Sequence, residues 1–137
     1  MIKEIVKDAF LLSQKSLPAT KEDLNVVQDL KDTLAFHHER CVGMAANMIG
    51  SLKRIIIFQD GKEFTVMLNP KIIKHSDPYY ACEEGCLSHE GTRPCTRYEK
   101  IKVQYQDEKF KVKIKTYEGW TAQIIQHELD HLEGILI

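Results

Sequence analysis

The hydrophobic positions of the chain recur at helical spacing in two segments. Thr20 and Asp23 have the spacing of a capping box, which predicts that a helix begins there. Apolar residues then form one stripe to about residue 39, consisting of Leu24, Val27, Leu30 and Leu34. A second helix is predicted over residues 119–132, with Gly134 placed as a C-cap and a stripe of Ala122, Ile125, Leu129 and Leu132.

Alternating and β-branched stretches predict two hairpins. Residues 53–58 and 63–68 flank an Asp60-Gly61 turn, which is a strong hairpin signal. Residues 101–105 and 110–114 place apolar side chains at alternate positions and form the second predicted hairpin. Helices and hairpins together predict an α+β domain, with antiparallel sheets around a C-terminal helix.

The remaining segments are less regular. Residues 2–14 have a loose helical spacing, and residues 71–74 are consistent with a short strand. Residues 41–50 have mostly small side chains and lie around Gly43 and Gly50, which indicates a tight backbone segment. Residues 78–98 contain prolines, glycines and cysteines, and we predict an irregular stretch of the kind that often carries function.

Composition narrows the class of protein. The chain has 137 residues, the size of one domain, and we predict that residues 1–137 form a single domain. Lys and Arg number 19 and Asp and Glu number 20, so no polycationic surface for direct nucleic-acid binding is expected. No apolar run approaches the roughly 18 residues of a membrane span, and early charges interrupt any signal-peptide core. We therefore expect a cytoplasmic protein without membrane contact, whose cysteines are free thiols or metal ligands.

The strongest chemical signal is an H-E-x-x-H motif on the last predicted helix, running from His127 to His131. Side chains four positions apart project from the same helix face, so both imidazoles can bind one metal ion. Glu128 follows the first histidine, where it can accept a proton from a water at the open position of the metal. A helix with surface histidines is the simpler alternative, but motif, helix and termination signal agree on a metal site.

Two histidines leave at least one ligand to be found, because catalytic metal sites usually have three protein ligands. Spacing alone does not choose among the candidates, which are several carboxylates and Cys41, Cys82, Cys86, Cys95, His37, His38, His75 and His89. A carboxylate ligand would give a thermolysin-like site, and a thiolate would give a softer site open to Fe²⁺ or Zn²⁺. If Cys82 and Cys86 both joined the histidines, the site would be closed and structural.

Three blocks of the sequence resemble the peptide deformylase family. Residues 84–88 read Glu-Gly-Cys-Leu-Ser and match the family's E-G-C-L-S block. Residues 126–131 read Gln-His-Glu-Leu-Asp-His and match Q-H-E-x-D-H. The family's block G-x-G-x-A-A-x-Q-x-G is matched at Gly43, Ala45, Ala46 and Gly50. The blocks come in the family's order, and together they extend over most of the chain.

The resemblance implies the peptide deformylase fold and a metal-dependent hydrolase. Members of the family remove the formyl group from N-formylmethionine of nascent polypeptides and release formate. Cys86, His127 and His131 would hold one divalent ion per chain, commonly Fe²⁺, with Zn²⁺, Ni²⁺ or Co²⁺ able to substitute. Glu128 would be the general acid–base, and the backbone N–H of Leu87 would donate a hydrogen bond to the oxyanion.

The resemblance also suggests how the substrate and the metal loop are held. Three positions resemble those that shape the family's pocket for the methionine side chain: Val42, Gly43 and Ile124. Apart from the resemblance, Arg93 is a candidate contact for the substrate backbone or carboxylate, with a solvated loop arginine as the alternative. A buried Glu84–Arg97 pair is expected to support the metal loop, although a surface pair of little energetic consequence is the alternative. The implied partners are N-formylmethionyl nascent chains, with transient proximity to the ribosome.

Two positions of the first block depart from the family's pattern. Cys41 stands where the first glycine is expected, and Met48 stands where the family has a glutamine that donates to the oxyanion. A thioether cannot donate a hydrogen bond, so the expected loss is about 10²–10³-fold in rate unless another donor substitutes. The amide of Asn47 is suitable, but neighbouring side chains of an extended segment point to opposite faces.

Two other functions stay open beside deformylation. Met48 favours a catalytically weak deformylase-like protein that binds metal and acts in regulation. The intact Glu128 opposes that interpretation, because a pure binder does not need this carboxylate. The H-E-x-x-H motif also permits a zinc peptidase, although the block at residues 84–88 does not suggest one.

Overall fold

Helices cover both faces of an antiparallel sheet in the computed structural model, which describes residues 1–77 and 79–137. In these residues the helices are α1 (Ala9–Leu12), α2 (Leu24–Phe36) and α3 (Gly119–Leu132). The strands are β1 (Gly43–Ala45), β2 (Ile55–Asp60), β3 (Glu63–His75), β4 (Tyr79–Cys86), β5 (His89–Tyr98), β6 (Lys100–Gln106) and β7 (Val112–Glu118). A five-stranded sheet has the order β1-β2-β3-β6-β7, and β4 pairs with β5 in a second sheet. The predicted α+β class is confirmed.

Strand β2 lies at the centre of the core and is buried on both faces. Its odd-numbered side chains, Ile55 and Ile57, belong to the apolar cluster that contains Leu30 and Leu34 of α2. Its even-numbered side chains belong to the cluster on the other face, with α3: Ile56, Phe58, Ile125 and Leu129. Burial on both faces explains why this strand reads as a continuous apolar run rather than an alternating one.

The predicted start of the first long helix is confirmed. Thr20 and Asp23 form a capping box, in which the backbone N–H of Thr20 donates to Asp23 Oδ2 at 2.8 Å. One 3₁₀ turn, Lys21–Asp23, leads into α2, which ends at Phe36 rather than near residue 39. The looser prediction for residues 2–14 is wrong in extent, because only Ala9–Leu12 is helical.

The first hairpin continues further than predicted. Gly61 has a φ of 66° in the turn between β2 and β3, as the Asp-Gly signal indicates. The segments predicted separately at 63–68 and 71–74 form one strand, β3, with a register shift between Leu68 and Lys71. Asn69 sits in this bulge with a φ of 53°, and its Oδ1 accepts from the backbone N–H of Ala19 at 2.7 Å. The bulge therefore absorbs the expected break without ending the strand.

The prediction of an irregular stretch over residues 78–98 is wrong for residues 79–98, and Pro78 lies outside the described residues. They form the β4–β5 hairpin, with Tyr80 opposite Arg97 and Glu84 opposite Arg93. Pro94 is tolerated in β5 because a two-stranded sheet has outer edges that need no ladder hydrogen bonds. The prolines and glycines of this segment are typical of turns, and for that reason the sequence did not predict its strands.

The last hairpin and helix agree closely with their predicted positions. Strand β7 begins two residues later than predicted, because Asp107 Oδ1 accepts backbone N–H bonds from Lys109 and Lys111 in the preceding turn. Gly119 has a φ of 63° where β7 passes directly into α3. All four residues of the predicted α3 stripe are buried: Ala122, Ile125, Leu129 and Leu132. No helix among the described residues is long and apolar enough to cross a membrane.

Candidate metal centre and active site

Helix α3 brings the two motif histidines together in the interior. His127 and His131 are both buried, and their Nε2 atoms lie 3.2 Å apart. The i, i+4 spacing puts them on one face of the helix, where the apolar cluster on the other side of α3 holds the helix against the sheet. The predicted pairing of these imidazoles is therefore present in the structure.

Cys86 brings a thiol to the same point from the end of β4. Its Sγ lies 3.4 Å from His131 Nε2, and one ligand atom from each of Cys86, His127 and His131 lies within 4.8 Å of the others. Tetrahedral coordination at bond lengths of about 2.0–2.3 Å requires ligand atoms about 3.3–3.6 Å apart. The donor set and its spacing thus fit a single divalent ion.

A buried carboxylate orients the first histidine. Glu84 Oε1 lies 2.7 Å from His127 Nδ1, and Arg97 donates to both oxygens of Glu84 at 2.7 and 3.0 Å. Arg97 also donates to Asp130 Oδ2 at 2.8 Å. Burial opposes the charge of Glu84, but hydrogen bonds from His127 and Arg97 outweigh it and hold the pKa of this carboxyl well below its usual range. The expected Glu84–Arg97 pair is confirmed as a buried pair, and it fixes Nδ1 so that Nε2 faces the cluster.

Glu128 sits beside the cluster with a free oxygen. Its side chain is buried, and Oε1 has no hydrogen-bond partner among the described residues. Burial raises the pKa of Glu128 to about 7, against the opposing effect of His127. An unpartnered buried oxygen of this kind is available to exchange a proton with a bound molecule.

A cavity of about 600 Å³ opens in front of these residues. The sequence-predicted residues that line it are Val42, Gly43, Cys86, Leu87, Ile124, His127 and Glu128. Gly43 allows a close approach, since a Cβ at this position would lie 2.9 Å from both Glu128 Oε2 and the Cγ2 of Ile124. The requirement for glycine at this position is therefore steric.

Sequence reasoning did not single out Trp120 and Gln123, which also line the cavity. Gln123 Nε2 donates to Glu84 Oε2 at 2.9 Å, so it joins the carboxylate to the helix. The signal that could have found both residues is helical spacing. Trp120, Gln123, Ile124 and His127 stand at positions i, i+3, i+4 and i+7 of α3, which share one face.

The first block places Met48 and Asn47 on different sides of the chain. Met48 is buried and lines the cavity, in the 3₁₀ turn Ala46–Ile49. Asn47 turns away, and its Nδ2 donates to the backbone oxygen of His131 at 2.9 Å. The amide of Asn47 is thus committed to the end of α3 and does not replace the missing glutamine donor.

Other candidates from the sequence lie elsewhere or play a different part. Arg93 is not among the described residues that line the cavity, and its Nη1 donates to the backbone oxygen of Leu136 at 2.8 Å. Cys82 does not join the cluster of Cys86 and the histidines, so the closed two-cysteine site is not formed. Cys41 lines the cavity, its thiol donates to the backbone oxygen of Gly43 at 2.9 Å, and burial raises its pKa to about 12.

Comparison with known proteins shows the family of this chain. The family model described as polypeptide deformylase matches residues 2–137. The chain belongs to the peptide deformylase family. A curated peptide deformylase of Clostridium beijerinckii is 54% identical over 137 residues, which is the full length of both chains. A second, from Brachyspira hyodysenteriae, is 36% identical over 90% of this chain and 70% of its own.

Solved deformylase structures have the same fold. The Met-Ala-Ser-bound class I type b peptide deformylase of Acinetobacter baumannii superimposes with a TM-score of 0.89, at 28% identity over 99% of this chain and 97% of its own. The Thermotoga maritima peptide deformylase also gives a TM-score of 0.89, at 30% identity over 99% of this chain and 95% of its own. The deformylase fold expected from the three sequence blocks is therefore confirmed.

The chain is accordingly a peptide deformylase, a metal-dependent enzyme that removes the formyl group from N-formylmethionyl peptides. Deformylation is thus confirmed as the function. The group formed by Cys86, His127 and His131 is suited to the metal that this chemistry requires.

Proposed function

We propose that Cys86, His127 and His131 hold the metal ion of this deformylase and that Glu128 is its general acid–base. The observation that carries the proposal is the convergence of one thiol and two imidazole nitrogens beside a free carboxylate oxygen, next to a cavity that Cys86, His127 and Glu128 line. Helix, sheet and hairpin all contribute to that cavity, which supports treating residues 1–137 as one domain.

Glu128 handles the proton in the proposed reaction. A bound divalent ion supplies Lewis acidity, which makes water nucleophilic at neutral pH and polarises a carbonyl group. Glu128 accepts a proton from the water that attacks the formyl carbon. It then passes that proton to the amine nitrogen as the C–N bond breaks, so that formate and a free amine leave. The buried position of its carboxylate excludes bulk water from this exchange.

The cavity walls hold the substrate in this proposal. Val42 and Ile124 offer apolar surface to the methionine side chain, and Gly43 leaves room for the substrate beside Glu128. The backbone N–H of Leu87 directly follows Cys86 and is the proposed donor to the oxyanion that develops on the formyl oxygen. Arg93 has no part in the proposal, because its guanidinium is bound to the backbone near the C-terminal residue.

The proposed ion is Fe²⁺. A thiolate with two imidazoles is a soft to borderline ligand set, which favours Fe²⁺ or Zn²⁺ over Mg²⁺ and Ca²⁺, and Ni²⁺ and Co²⁺ are also compatible. We further propose that the enzyme works in the cytoplasm on nascent chains, close to the ribosome from which formylmethionyl ends emerge.

Replacing Cys86 by serine is expected to lower metal occupancy sharply and to abolish formate release from formyl-Met-Ala. A neutral hydroxyl is a much poorer metal ligand than a thiolate. Loss of a residue that only hydrogen-bonds to a metal ligand typically lowers metal affinity about 10–100-fold, so the loss in Cys86→Ser should be larger. The measurement is metal content by mass spectrometry after anaerobic loading with Fe²⁺ and gel filtration, beside the formate assay.

Cys95→Ser is the matched control for this test, because it removes another half-buried thiol of the same sheet outside the ligand cluster. Its metal content should equal that of the unmodified protein. Full metal occupancy in Cys86→Ser would show that the third ligand is another residue. Loss of metal without loss of turnover would contradict metal-dependent chemistry at this site.

Replacing Glu84 by glutamine is expected to weaken metal affinity about 10–100-fold. The amide accepts more weakly from His127 Nδ1, and it removes one of the two carboxylates that pair with Arg97. Affinity is measured by competition with a chelator, on protein whose circular dichroism shows that it is folded. Asp130→Asn is the control, since it removes the other carboxylate on Arg97 without a contact to His127. An equal loss in both variants would assign the effect to Arg97 rather than to the Glu84–His127 bond.

A further inference from the structure

Two thiols face each other across the β4–β5 hairpin. Cys82 of β4 stands directly opposite Cys95 of β5, and their Sγ atoms lie 2.9 Å apart. Directly opposite residues of antiparallel strands have Cα atoms about 4.5–5.5 Å apart, which lies inside the range of about 4.4–6.8 Å that disulfides span. The directly opposite register of these two cysteines is therefore compatible with a cross-strand disulfide.

Neither thiol is used by the deformylase centre. Cys82 and Cys95 are free and half-buried, and Cys86 is the cysteine that meets the histidines. Glu84 lies near the pair, with Oε2 at 3.8 Å from Cys82 Sγ. Its oxygens already accept hydrogen bonds from Arg97 and His127, so it is poorly placed to complete a second metal site with the two thiols. Cys82 and Cys95 therefore form a pair of thiols that belongs neither to the deformylase centre nor to a second metal site.

We propose that Cys82 and Cys95 are a site of reversible oxidation by low-molecular-weight disulfides. One thiol of the pair, as thiolate, attacks a sulfur of the small disulfide and releases one small thiol, which leaves a mixed disulfide on the protein. The second thiolate attacks the protein-bound sulfur of that mixed disulfide and releases the second small thiol. Two protein thiols are oxidised to one disulfide, and one small disulfide is reduced to two thiols. The same two steps in reverse restore the dithiol.

The position of the pair links this oxidation to the active site. Cys82 precedes Glu84 by two residues and Cys95 precedes Arg97 by two residues, so all four side chains lie on one face of the hairpin. A disulfide would tie β4 to β5 beside the Glu84–Arg97 pair, on the strand that ends at Cys86. Burial raises the pKa of Cys95 to about 12, so exchange should be slow and should need an excess of the small disulfide.

The test is a thiol count on the metal-loaded protein after anaerobic incubation with excess oxidised glutathione. Remaining thiols are alkylated with iodoacetamide in denaturant, and intact mass and digested peptides are measured. The expected result is two alkylated cysteines instead of four, a linked peptide that joins Cys82 to Cys95, and a return to four after treatment with dithiothreitol. This readout does not depend on deformylase activity, so it is independent of the proposed catalytic roles.

Matched variants identify the pair. Cys82→Ser and Cys95→Ser should each lose the intramolecular link, and Cys41→Ser should still form it between Cys82 and Cys95. Four alkylated cysteines in the oxidised protein would overturn the proposal, and so would a link that involves Cys41 or Cys86 or that joins two chains. The peptide map of the unmodified sequence gives this answer even if a serine variant folds poorly.

Discussion

Replacing Glu128 by glutamine is expected to lower kcat for formate release from formyl-Met-Ala by a factor of about 10²–10⁴, the usual contribution of a general acid–base. The amide keeps the volume of the buried side chain, but it cannot accept a proton from water and return it to the amine. Glu128 is not one of the residues whose ligand atoms cluster at the candidate metal centre, so metal content should be unchanged.

The control for this experiment is Glu133→Gln, five residues beyond Glu128 and just past the end of α3. Glu133 is exposed and pairs with Arg54 at 3.1 Å, and such surface pairs contribute only about 0–1 kcal/mol. Its kcat should match that of the unmodified protein. Glu128→Gln with full metal and a kcat within a factor of a few of normal would mean that another group carries the proton.

Replacing Met48 by glutamine is expected to raise kcat. The largest expected increase is about 10²–10³-fold, which is the contribution of one hydrogen-bond donor to the oxyanion. Met48 lines the cavity, and the neighbouring amide of Asn47 is bound to the end of α3. A glutamine at position 48 would therefore bring an N–H donor to a cavity wall that now carries a thioether. The measurement is steady-state kinetics of formate release, with kcat and KM determined separately.

Met48→Leu separates hydrogen bonding from packing in this test. Leucine has a similar volume and no polar atom, so its kcat should stay close to that of the methionine enzyme. A rise in kcat for glutamine alone supports the missing donor as the limit on rate. An unchanged or lower kcat in folded Met48→Gln would show that the oxyanion is held adequately by other groups.

Elements with strong local signals could be predicted from the sequence. The capping box at Thr20, the Asp60-Gly61 turn and the apolar stripe of α3 depend on residues a few positions apart, and each appears as expected. The pairing of His127 with His131 is of the same kind, because helix geometry alone brings them together.

Features that depend on tertiary contacts could not be derived in this way. Helical spacing pairs the histidines, but the meeting of Cys86 with them depends on how the β4–β5 hairpin docks on α3, and only resemblance to a family singled that cysteine out beforehand. The direction of Asn47 is set by the backbone oxygen of His131, which is 84 residues away in sequence. At the bulge of β3, the backbone N–H of Ala19 donates to the side chain of Asn69, which is 50 residues away in sequence. None of these partners is visible in a short window of sequence.

The two candidate histidine ligands belong to α3, and the candidate thiolate belongs to a hairpin outside the five-stranded sheet. An ion bound by all three would join parts of the chain that share no strand pairing. Because such an ion binds the native state and not the unfolded chain, each rise in its free concentration stabilises the fold by mass action, by about 2.7 kcal/mol at 100 times the dissociation constant. Resistance to heat and to proteases would then track metal supply, and a metal-starved cell would lose enzyme molecules through degradation as well as activity.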